Sequence, residues 1–129
     1  MKNESLPPIE QLALRMVAMP KDTNPSGDIF GGWIVSLMDI AGGTVALHAS
    51  KGRVVLAAIK EMSFLRPVLV GDEVSCYAYV ESIGTTSMHV HIEAWVRRPK
   101  GGHIHKVTEG TFTFVAIDET RKPRPVPKN

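Results

Sequence analysis

The chain has a single cysteine, Cys76, among its 129 residues, so no disulfide can form within it. A chain without that framework suits a reducing cytoplasm, which is the expected setting. Charge of neither sign is in excess. The formal net charge is +2, and much of it sits in Arg121, Lys122, Arg124 and Lys128, interspersed with prolines near the end. Up to Asp118 there are 11 basic and 12 acidic residues, which argues against a nucleic-acid-binding face. No stretch long enough to span a bilayer is free of glycine and charge, so no membrane helix is expected. The opening residues, Met1 to Gln11, are too polar for a signal peptide. What is present is an ordinary globular composition, 43% hydrophobic and 22% charged, at a length that suits one domain.

One stretch stands out, Gly27 to Ser50. From Ile29 to Ser50 the only formal charge is Asp39, set among Trp33, Ile34, Val35, Leu37, Met38, Ile40, Ala41, Val45 and Leu47. The length predicts a helix of five to six turns, with Asp28 placed as its N-cap. Its apolar residues are not confined to one stripe, and a helix apolar on most sides is buried on most sides. A lone carboxylate there has to be paired, neutralised or useful.

Around the helix the pattern is strand-like. Leu12–Met19 is a short apolar run stopped by Pro20 and reads as a strand. Lys51-Gly52 ends the helix, and the continuous run Val54–Ile59 predicts a central strand covered on both faces. Glu73–Ile83 follows, with Val74, Cys76, Ala78 and Val80 on one face. Thr86–Arg97 alternates, placing Met88, Val90, Ile92, Ala94 and Val96 opposite His89, His91 and Glu93. Pro99 with Gly101-Gly102 makes a hairpin loop, and His105–Ile117 returns. The expected class is α+β: a long helix against an antiparallel sheet, over residues 11–118. Residues 1–10 read as a flexible arm and 119–129 as a basic, Pro-rich tail. One sheet covers only one side of a helix, so the remainder calls for a second copy of the chain.

Four positions invite chemistry. Asp39 is either a structural acid or a general base or nucleophile in an apolar pocket. Gly31-Gly32 lies at the helix N-terminus, where unpaired N–H groups can hold an oxyanion, or else the glycines serve close packing. Gly42-Gly43 reads as close helix packing or substrate clearance. Asn24, in an Asn-Pro turn, is structural or holds a carbonyl or water. Seven residues of helix separate Gly32 from Asp39 by about 10 Å, so one carbonyl cannot touch both within one chain. Two protomers running past each other would bring them together. His48 suits the helix C-terminus, and Cys76 a strand core. His89 with His91, and His103 with His105, share strand faces. Folding the hairpin about Lys100-Gly101 places His91 near Gly110 and His105 near Val96, too far apart for one site, and no metal is expected.

These residues carry a resemblance. Val17-Ala18-Met19-Pro20, Asp22-Thr23-Asn24, Gly27 through Ile34 and Met38-Asp39 closely resemble the hotdog-fold acyl-CoA thioesterases, specifically the YciA-like hydrolases. The likeness continues through Gly52-Arg53-Val54-Val55, Phe64 with Pro67, Val70-Gly71-Asp72, Val74 with Cys76-Tyr77 and Glu93 with Trp95-Val96 to Phe112–Ala116. The resemblance implies a hotdog fold paired as homodimers, often as a hexameric trimer of dimers, with sites at the interface. It implies that Asp39 activates water or attacks the thioester, that Asn24 of the opposite protomer binds carbonyl or water, and that the Gly32 N–H, beside Gly31, supplies the oxyanion contact. The substrate would be acyl-CoA, placing the chain in fatty acid metabolism, with no cofactor because coenzyme A is part of substrate and product. Its phosphates need cations, for which Arg53, Arg97, Arg98 and Lys100 are candidates. The alternative is a non-catalytic acyl-CoA-binding or regulatory hotdog domain.

Overall fold

The computed structural model describes residues 5–128. Five strands, β1 (Leu12–Val17), β2 (Val54–Phe64), β3 (Glu73–Ile83), β4 (Ser87–Arg97) and β5 (Ile104–Ala116), form one antiparallel sheet around a single helix, α1 (Gly31–Ser50). Their spatial order is β1-β3-β4-β5-β2. Long β3, β4 and β5 curl round the helix, which packs on all five strands. By length and composition alone α1 would qualify as a membrane span. Its contacts make it the core helix.

The alternation read from β4 is what the core uses. Met88, Val90, Ile92 and Ala94 are fully buried, facing Ile34, Leu37, Met38 and Ala41 of α1. Gly42 brings helix and sheet together. A Cβ there would stand 2.5 Å from Ile92 Cδ1 and 3.0 Å from Phe114 Cε2, so the packing requires glycine. Cys76 is fully buried, and burial pushes its thiol up to about 12, which leaves a small core residue and no nucleophile.

Three expectations need correction. Asp28 does not cap α1; the N-cap is Phe30, with no side-chain cap bond. Asp28 is already committed, its N–H donating to Asn24 Oδ1 and its carbonyl accepting from Asn24 N–H. The run Val54–Ile59 does not make a central strand. It forms the edge strand β2, with Leu56 36% and Ile59 40% exposed. Its apolar faces match the expected pattern, but the single chain does not cover them. On α1 the single sheet covers one side, as expected, and leaves the rest for a second copy. Gly32, Ser36, Ile40, Thr44, Leu47 and His48 line an open stripe, with Ile40 58% exposed. Finally, His91 pairs with Thr111 instead of Gly110, because an irregularity at Ala94/Trp95 shifts the register, while His105 does face Val96.

The two ends of the helix are held differently. At the C-terminus Lys51 adopts φ 58° and Gly52 N–H donates to Leu47 O, closing the last turn. A Cβ at Gly52 would lie 2.6 Å from Arg124 Nη2, so a larger residue there would displace that guanidinium. Arg124 donates to Ser50 O and Ile117 O, placing a cation on the negative end of the helix. Val126, two residues on, is buried and its N–H donates to Thr85 O. The basic segment after residue 118 therefore packs back on the body as far as Val126. Of the N-terminal arm, residues 1–4 lie outside the described part, and Ile9–Gln11 forms a 3-10 turn.

Candidate active site

At the other end of α1 the chain makes a tight loop. Asn24 Oδ1 accepts the N–H groups of Ser26 and Asp28, at 2.9 and 3.1 Å. With its oxygen thus occupied, the Asn24 side chain has only its NH2 donors left for a ligand. Ile29 N–H donates to Val68 O and Phe30 N–H to Asp22 O, fixing the loop between two segments. Trp33 N–H already turns back to Phe30 O. Gly31 and Gly32 N–H find no acceptor among the described residues, as the first turn of a helix leaves them.

Asn24 and Gly31 share a groove whose far wall is Phe64 to Val68. The Phe64 ring lies 3.5 Å from where a Gly31 Cβ would be, so Gly31 is the floor under an aromatic wall. Gly32 is exposed, and a Cβ there would meet nothing within 4 Å. The groove thus presents amide donors and the positive helix end to an incoming carbonyl.

Asp39 does not line this groove. It lies about 10 Å further along α1 and within about 20° of Gly32 around the axis, on the stripe the chain leaves open. It is half-buried, and among the described residues it has neither a hydrogen bond nor an ion pair. One chain therefore gathers the donors and keeps the carboxylate apart.

Residues 26–103 match the thioesterase superfamily. The chain belongs to that superfamily. It is 50% identical over 123 residues to acyl-CoA thioester hydrolase YciA of Salmonella typhimurium, covering 93% of this chain and 92% of the relative. A solved hexameric thioesterase from Yersinia pestis is 46% identical with a TM-score of 0.88, over 92% of this chain and 97% of that one. A hexameric broad-specificity acyl-coenzyme A thioesterase is 42% identical, also with a TM-score of 0.88, over 92% and 87%. The hotdog architecture expected above is thereby established for this thioesterase superfamily member.

The four cations proposed for coenzyme A fall in different places. Arg53 is exposed at the C-terminal end of α1, far from the groove in one chain. Arg97 holds Glu73 at 2.9 Å. Lys100 is exposed in the hairpin loop. Arg98 alone stands beside the groove wall, with Nη2 donating to Pro67 O. Phe64 and Pro67 belong to the resemblance read from sequence, but nothing local to them shows that they wall a groove with Asn24 and Gly31.

On the outer face of the sheet, His91, Glu93 and Glu109 converge within 4.8 Å, a cluster that sequence spacing did not bring together. Glu93 and Glu109 stand directly opposite across β4 and β5, a like-charge pair that is costly alone. His91 Nε2–H donates to Glu93 Oε2 at 2.9 Å, Trp95 Nε1–H to Glu93 Oε1 at 2.9 Å, and Lys106 lies 3.2 Å from Glu109. Burial by itself would raise the Glu93 carboxyl, but these hydrogen bonds and the Lys106 charge together hold it below the usual 4.5. A depressed value stabilises the fold above 4.5, and that contribution is lost as pH falls through the folded value. Glu93→Gln is accordingly expected to cost about 1 kcal/mol at neutral pH. In urea titrations the gap from wild type should close in acid; an unchanging gap would assign the loss to packing.

Proposed function

We propose that this chain hydrolyses acyl-CoA thioesters at a site that two copies complete between them. The observation that carries the reading is the separation within one chain of the donors at Asn24 and Gly32 from the unpaired Asp39. Gly32 and Asp39 lie on one helix face that the chain leaves uncovered, with Asn24 in the loop before it. Two α1 helices packed antiparallel through that face bring each carboxylate to the other's groove. The relatives' names, acyl-CoA thioester hydrolase and hexameric acyl-coenzyme A thioesterase, support the same reading.

The thioester carbonyl oxygen accepts from Gly32 N–H at the positive end of α1, with Asn24 Nδ2 donating beside it. Asp39 of the partner subunit takes the proton from a water that attacks the carbonyl carbon, or attacks that carbon itself and is released by water. The tetrahedral oxyanion collapses and the C–S bond breaks, leaving the free acid and the thiol of coenzyme A. A thiolate leaves readily, so neither a metal nor a cofactor is required. The exposed edge of β2 and the open stripe of α1 are the surfaces such a dimer covers, and three dimers make the hexamer proposed for this chain.

Free-thiol release from short, medium, long and aromatic acyl-CoA esters tests the activity. Small-angle scattering at high dilution tests the assembly. The expected results are turnover and the absence of a folded monomer. A stable, soluble monomer that turns over acyl-CoA would overturn the shared site, and tight acyl-CoA binding without turnover would favour the regulatory alternative.

A further inference from the structure

The outer face of the sheet, turned away from α1, carries chemistry that thioester hydrolysis leaves unused. Glu93 of β4 faces Glu109 of β5, and His91 stands on the same face two residues along β4. One ligand atom from each of the three lies within 4.8 Å of the others. His91 Nε2 is the pivot, 2.9 Å from Glu93 Oε2 and 3.7 Å from Glu109 Oε1. An ion with bonds of about 2.1 Å holds tetrahedral ligand atoms about 3.4 Å apart, so shifts of about 1 Å or less seat one.

The imidazole nitrogen sets this cluster apart from an acidic patch, and so does the way each carboxylate is held. Trp95 Nε1–H donates to Glu93 Oε1 at 2.9 Å, and Lys106 Nζ lies 3.2 Å from Glu109 Oε2. Each carboxylate is gripped from outside by one oxygen and turns the other toward His91. Outer donors of that kind orient metal ligands and select the oxygen that binds. His91 and Glu109 also line a hollow with Glu61, Glu81, Ser63 and Thr111. Two further carboxylates at this hollow favour a cation, and its hydroxyls suit the water that completes a coordination shell. Glu61 occupies its place there from a left-handed backbone, φ 55°, at the irregularity between Lys60 and Ser63 of β2.

We infer that His91, Glu93 and Glu109 form a binding site for a divalent transition-metal ion with the size and ligand preference of zinc, one per chain. Two carboxylates balance a doubly charged cation, and one imidazole supplies the nitrogen that zinc takes readily. The ion takes the place of the Nε2 proton, which the ring then carries on Nδ1. It also removes the like-charge repulsion between Glu93 and Glu109 and ties β4 to β5. This reverses the expectation of no metal, which rested on histidine pairs. His89 shares the strand face but has its Nδ1 2.9 Å from Thr113 Oγ1. Nothing in the site depends on the acyl-CoA reading.

Calorimetric titration of Zn2+ into the EDTA-washed, assembled protein tests the site. Wild type is expected to take one ion per chain with a Kd of about 1 μM. His91→Ala should lose that binding, and Glu109→Gln should weaken it about a hundredfold. His89→Ala should leave it unmoved. Zn2+ should also raise the melting temperature of wild type by a few degrees and leave that of His91→Ala unchanged. The absence of binding heat up to about 0.1 mM Zn2+ would overturn the site. Binding that survives His91→Ala would mean an adventitious ion only. An equal loss in His89→Ala would move the ion to the histidine pair and equally overturn it. If Glu109→Gln fails to fold because Lys106 loses an ion pair, the His91→Ala titration still decides the matter.

Discussion

Asp39→Asn is expected to lower kcat for acyl-CoA hydrolysis by about a thousandfold while fold and assembly persist. The substitution keeps the shape and both polar positions but removes the ability to take a proton or attack carbon. Nothing in the fold of one chain depends on the charge, since Asp39 has no hydrogen bond or ion pair among the described residues. A half-buried carboxylate without a partner costs stability, so the asparagine variant should melt no lower than wild type and slightly higher if anything. The competing account, in which Asp39 is a structural acid paired across an interface, makes the opposite pair of predictions. It requires weakened assembly, with activity lost only in proportion to the oligomer lost. Free-thiol release, thermal melts and scattering on the same preparation separate the two. Near-full thiol release by the variant would remove Asp39 from the mechanism.

How much of this was legible in the sequence depends on whether a feature is local. The α1 termination at Lys51-Gly52 and the alternation of β4 follow from patterns a few residues long, and both appear as read. The Val54–Ile59 run was misplaced because apolar residues on two faces look the same whether their cover is this chain or another copy. The same ambiguity holds for α1, six of whose twenty residues are exposed in one chain. Asp28 had the right chemistry for a cap, but Asn24 claimed its backbone first. The register at His91 slipped by one because an irregularity at Ala94/Trp95 has no glycine or proline to announce it. Arg124 and Ser50 are 74 residues apart, and no local pattern reveals that a charge in a proline-rich tail closes a helix. In the site, the separation of Gly32 from Asp39 could be computed from helical rise alone. The groove joins Asn24 and Gly31 to Phe64–Val68, residues distant in sequence, so only the fold assembles it.

That separation leads to a result no single-chain site can produce. Asn24→Asp retains the oxygen that accepts from Ser26 and Asp28 N–H, so the loop keeps its hydrogen bonds. It replaces the donor NH2 with an acceptor, which should cost about a hundredfold in kcat. Asn24→Asp and Asp39→Asn are thus two nearly inactive chains with different halves damaged. In a mixed dimer, one site combines an intact Asn24 with an intact Asp39 of the partner subunit, and the other site collects both lesions. Random pairing makes half of the dimers mixed, each with one sound site of two, so co-refolded chains should recover about a quarter of wild-type activity. Separately refolded chains combined only in the assay should stay near background unless subunits exchange, in which case activity should rise at the exchange rate. If instead each chain carried a complete site, every site in the mixture would hold a lesion and no recovery would occur. Recovery to about a quarter therefore requires that the carboxylate and the amide donors of one site come from different copies.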